Sequence, residues 1–85
     1  MADYYKPRGI HMHQLETFQI EPDEMEALRL AHVEKLYQEQ AAEKMEISRQ
    51  TFGRILTSAQ EKISTALVYG KAIKIEKQIT NSLNP

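Results

Sequence analysis

The chain has no cysteine and no tryptophan, and its 85 residues include only three glycines and three prolines. Without cysteine there is neither a disulfide nor a thiolate metal ligand, and the composition fits a reducing compartment. The glycines are scattered, so no glycine-rich loop cradles a phosphate, and no acid, base and nucleophile fall at a spacing around which a catalytic site could be built. The chain is therefore read as a non-enzyme, with no catalytic residue and no cofactor. No apolar run approaches the ~18 residues of a membrane span, and residues 1–8 lack the apolar core of a signal peptide. A cytoplasmic protein is the expectation. At this length the chain makes one small domain with a marginal core, which a partner subunit would help to stabilise.

A surplus of positive charge is missing too: eleven basic residues stand against twelve acidic ones, a net of −1. The distribution is more informative than the total. Residues 16–46 carry nine acids against Arg29, Lys35 and Lys44, whereas residues 47–77 carry six basic residues against Glu61 and Glu76. So polarised a chain can turn a positive face to phosphates while its acidic face points away. Two solvated helix faces of opposite charge are the plainer explanation of the same composition.

The pattern is mainly helical. Pro22 suits the first position of a helix, since its missing N–H would have no partner there, and Asp23, Glu24 and Glu26 complement the positive end of the dipole. Met25, Leu28 and Ala31, widened by Leu30 and Val33, form the expected buried stripe, to Val33 or Glu34. A second, short helix is predicted over residues 38–45, with Ala41, Ala42 and Met45 inward, Leu36 behind it and Tyr37 a poor cap. The third starts after Ser48, a good N-cap, with Ile47 and Phe52 placed as a hydrophobic staple. Phe52, Ile55, Leu56, Ala59, Ile63, Ala66 and Leu67 keep helical spacing as far as Gly70, a natural stop. Residues 71–77 alternate and read as a short strand, able to pair with a second extended stretch within residues 10–20. The division is thus an N-terminal arm over 1–21, a helical domain over 22–70, a strand over 71–77 and a fraying tail over 78–85.

Residues 37–59 have the layout of a helix-turn-helix DNA reader. Such a pair needs small inward residues on its first helix (Ala41 and Ala42), a tight turn followed by an apolar residue (Ile47), and long polar side chains on the outer face of its second helix. With Phe52, Ile55 and Leu56 turned inward, Ser48, Arg49, Gln50, Gly53, Arg54 and Thr57 fall outward. Arg49, Gln50 and Arg54 are the candidate base readers, because arginine pairs bidentately with guanine and glutamine with adenine. Lys44, Ser48, Thr51, Gly53 and Thr57 are assigned to the DNA backbone. Gly53 costs about 1 kcal/mol relative to alanine inside a helix. Either it lets the helix sit deep in the groove, or it packs closely on a neighbouring helix. Glu46 stands at the turn position that calls for positive φ, at a cost on the order of 1 kcal/mol for a non-glycine residue.

Four strings carry a resemblance to a known family: Glu26-Ala-Leu-Arg-Leu, Tyr37-Gln-Glu-Gln-Ala-Ala-Glu-Lys-Met, Ser48-Arg-Gln-Thr-Phe-Gly-Arg-Ile-Leu and Ala66-Leu-Val-Tyr-Gly-Lys-Ala. Over roughly residues 7–76 the chain resembles the UPF0251 (DUF134) proteins, small prokaryotic proteins viewed as DNA-binding. The resemblance implies a three-helix helix-turn-helix domain like sigma-factor region 4. The chain departs from the pattern where Glu46 replaces the usual glycine. It departs again in a short N-terminal arm without the family's cysteines, so no metal or redox role of those cysteines carries over to it.

The resulting expectation is a sequence-specific duplex DNA-binding protein, a transcriptional regulator acting as a homodimer on half-sites about 34 Å apart. The alternative is an adaptor of the same fold that docks on the transcription machinery without touching DNA. A metal or ligand sensor built on His11, His13 and His32 is a third option, though their spacing is not diagnostic. Tyr4, Tyr5, Lys6, Pro7 and Arg8 read as a disordered tail or, less commonly, as a basic arm for the minor groove.

Overall fold

The computed structural model describes residues 2–6 and 16–76. They form three helices and a small three-stranded sheet, in the order β1 (Ala2–Tyr5), β2 (Thr17–Ile20), α1 (Pro22–Leu28) continued by a π-helical turn (Arg29–Val33), α2 (Gln38–Met45), α3 (Arg49–Tyr69) and β3 (Ala72–Glu76). The chain divides into two compact units. One is Asp23–Glu61; the other comprises the described residues up to Pro22 and those from Lys62 onward.

In the first unit Phe52, Ala27, Leu30, Ala41, Ala42 and Leu56 form the buried core, with Leu36, Met45, Ile47 and Ile55 packed partly against it. The two alanines are buried, as close approach to α3 requires. The turn between α2 and α3 is closed by a residue in the left-handed region: Glu46 has φ 60° and ψ 42°. Its N–H donates to the Glu43 carbonyl at 3.1 Å and the Ile47 N–H to the Ala42 carbonyl at 3.0 Å, the double bond of a Schellman stop. Ser48 then caps α3, accepting the Thr51 N–H at 3.0 Å, and Ile47 meets the Phe52 cluster as the staple predicts. Tyr37 gives α2 no side-chain cap. Gln40 compensates, its carboxamide oxygen accepting the Tyr37 N–H at 3.1 Å.

Two readings of the first helix are corrected. Glu24, assigned to the solvated acidic face, is only 5% exposed. The Ser58 hydroxyl donates to its carboxylate at 2.6 Å, the kind of partner without which a buried charge is costly. Met25 and Val33, placed on the buried stripe, are exposed, and Ala27 and Leu30 are the fully buried members. The last turn is also wider than an α-turn: the Glu34 N–H donates to the Arg29 carbonyl, five residues back. Arg29 there bonds both oxygens of Glu26, at 2.8 and 3.1 Å, and one of Glu34 at 3.1 Å. Lys35, at φ 61°, ends the segment.

The second unit packs α3's later turns on the sheet. Ile20, Ala66 and Ile73 are buried together, with Phe18, Ile63 and Ile75 beside them. β3 is the central strand, antiparallel to β1 and parallel to β2. The expected pairing with the 10–20 stretch holds for Thr17–Ile20; residues 10–15, with His11 and His13, lie outside the described residues, as do 78–85 and, from the arm, Pro7 and Arg8. Residues 4 and 5 are not a loose arm, since Tyr4 pairs with Lys74 and Tyr5 with Ile73. Gly70, at φ 68°, ends α3, and the Lys71 N–H bonds the Ala66 carbonyl at 2.8 Å. No helix among the described residues is long and apolar enough to cross a membrane.

Candidate nucleic-acid interface

The Schellman stop and the Ser48 cap set the phase of α3: they bury Phe52 and Leu56, which turns the opposite side of the helix outward. Arg49, Gln50, Arg54 and Thr57 are exposed there. With Gly53 they line one shallow, open groove. Sequence reasoning missed three further lining residues: Gln38, at the first position of α2, and Ser58 and Glu61 on α3. Glu61 was open to discovery, because positions 50, 54, 57 and 61 recur on one helical face. Gln38 was not, since only the packing of α2 on α3 brings it to Gly53.

Three assigned residues lie off this groove. Lys44 is exposed on α2 but does not line it, and Ser48 and Thr51 sit at the start of α3. The Ser48 hydroxyl is occupied twice, accepting the Thr51 N–H and donating to the Thr51 hydroxyl at 2.9 Å. A phosphate there would therefore find the Thr51 hydroxyl hydrogen and the N–H groups of Arg49 and Gln50, which the first turn of a helix leaves without an intrahelical acceptor.

The electrostatics set this surface apart. The Arg29 guanidinium is held by Glu26 and Glu34. Arg49 and Arg54 have no ion-pair partner among the described residues, so their donors are available to a ligand. Glu61 is the one carboxylate in the groove.

The space around Gly53 bears on one of the two explanations offered for it, close packing on a neighbouring helix. A Cβ placed there would meet only the Gln38 carboxamide oxygen, at 3.5 Å, an ordinary contact with the end of a flexible side chain. Packing within the chain does not require glycine at this position.

His32 is exposed on the π-helical turn, its Nε2 2.9 Å from the Gln60 amide nitrogen. Among the described residues no group of three or more His, Cys, Asp or Glu side chains could hold a metal ion.

A family profile described as "Protein of unknown function DUF134" matches residues 3–79. The chain belongs to the DUF134 family. Curated relatives agree. A UPF0251 protein of Prosthecochloris aestuarii is 53% identical over 72 residues, covering 85% of this chain and 46% of the relative. One of Vibrio parahaemolyticus is 49% identical over 77 residues, 91% of this chain and 80% of the relative. One of Caldanaerobacter subterraneus is 51% identical over 73 residues, 86% of this chain and 62% of the relative. This DUF134 chain thus spans about half the length of the first relative and under two thirds of the third. No solved structure matches it.

Proposed function

We propose that this protein binds duplex DNA sequence-specifically and regulates transcription, reading the major groove with the outer face of α3. The α2–turn–α3 pair acts as the helix-turn-helix. Arg49, Gln50 and Arg54 contact base edges, each bidentate pair contributing about 1–3 kcal/mol of discrimination. Lys44, Thr51 and Thr57 contact phosphates together with the first backbone N–H groups of α3, and Ser48 serves by holding Thr51 in place. The observation that carries this reading is the pair of unpaired guanidinium groups in one exposed groove, floored by a glycine that the chain's own packing does not need. Glycine there leaves room for an external surface to come close.

Selection of bound duplexes from a random pool tests the proposal, run in parallel for the wild type and for Arg49→Ala/Arg54→Ala. The wild type should enrich a defined sequence; the variant, folded to the same melting temperature, should lose it. Equal enrichment by both proteins would refute the assigned roles. Failure of both to retain any duplex would favour the adaptor reading.

A further inference from the structure

The last turn of α3 is apolar on every side. Ala66 is buried, while the next three residues are exposed: Leu67 is 57% exposed, Val68 72% and Tyr69 71%. A helical turn that is hydrophobic all round is normally covered, and three consecutive large side chains left to water mark an interaction surface. This feature is independent of the DNA reading.

We infer that this turn is a self-association surface, covered by the same turn of a second copy of the chain. The charge pattern is the one a self-contact requires. Residues 63–70 form a run of eight without a charged side chain, in a chain that is 27% charged. The cations that flank the run are both engaged by the chain itself. Lys62 donates to the Gln19 carbonyl at 2.7 Å, and Lys71 pairs with Glu16 at 3.2 Å. A two-fold contact sets a surface against itself, so any net charge would be repeated and repelled. This turn meets that condition, and it offers nothing by which a charged partner of another kind would be selected. Three side chains make the centre of an interface and fall short of the about 800 Å² per partner that a standard stable one buries. The dimer is accordingly weak and reversible.

Sedimentation equilibrium across a concentration series tests this, using the wild type, Val68→Lys, Val68→Glu and an equal mixture of the two variants. The wild type should show a monomer–dimer equilibrium. Each variant alone should associate at least about tenfold more weakly, because like charges then face each other. The mixture should recover dimer by pairing lysine with glutamate. Val68 is largely solvent-exposed, so both variants should keep the wild-type far-UV circular dichroism, and Leu67→Ser supplies an uncharged variant that should also weaken association. A wild type that stays monomeric at millimolar concentration would overturn the inference. So would variants that associate as tightly as the wild type, or a mixture that remains monomeric.

Discussion

Gly53→Ala separates the needs of the fold from those of the groove. The substitution adds one methyl group in the interior of α3, where alanine is favoured over glycine by about 1 kcal/mol. Nothing in the structure opposes the gain, since the new Cβ meets only the Gln38 oxygen, at an ordinary 3.5 Å. For a domain of this size about 1 kcal/mol raises the melting temperature by roughly 4–8 °C. The same methyl projects into the groove lined by Arg49, Gln50 and Arg54. There it holds a docking surface away and should weaken binding to the selected duplex on the order of tenfold, about 1.4 kcal/mol. Thermal melting followed by circular dichroism and fluorescence anisotropy on a labelled duplex read the two effects separately. A lower melting temperature would show that Gly53 is needed for packing, and unchanged affinity would show that DNA does not approach this face.

Two further outcomes follow from the backbone and the surface charges. Glu46→Gly relieves the left-handed conformation at φ 60° and should stabilise the protein by about 0.5–1 kcal/mol, the greater freedom of glycine in the unfolded chain taking back part of the gain. A fall in melting temperature would contradict it. The hydrogen bond from Arg29 holds the Glu26 carboxyl below the ordinary glutamate range, with burial acting in the opposite direction and the guanidinium's charge adding to the lowering. A depressed folded-state pKa stabilises above the unfolded value, and that contribution is lost as the pH falls through the folded one. The small stability difference between wild type and Glu26→Gln should therefore be present at neutral pH and vanish on acidification below the usual glutamate range. A difference independent of pH would refute the coupling.

Local chemistry explains which parts of the fold could be read in advance. The α2–turn–α3 segment was legible almost to the residue, because its signals are short-range: adjacent alanines, a hydroxyl cap at Ser48, the staple of Ile47 and Phe52, and a turn residue at Glu46 whose positive φ follows from its position. Gly70 marks the end of α3 for the same reason. The π-helical turn at Arg29–Val33 has no comparable signature. Strand β1 escaped notice because Ala2–Tyr5 shows no alternation and owes its pairing to β3, some seventy residues on. Glu24 was misplaced because its position in a first helical turn predicts exposure, whereas its burial rests on Ser58, thirty-four residues away. In the candidate site, the outward set on α3 followed from helical phase alone. Gln38 enters the groove only through the packing of α2 against α3.

The salt dependence of affinity for the selected duplex bears most directly on the claim that the arginine-bearing face of α3 meets DNA. With four or five phosphates neutralised, log affinity against log salt concentration should fall with a slope near −4. Weak binding at every salt concentration, with no appreciable slope, would contradict that claim and leave the adaptor as the better reading.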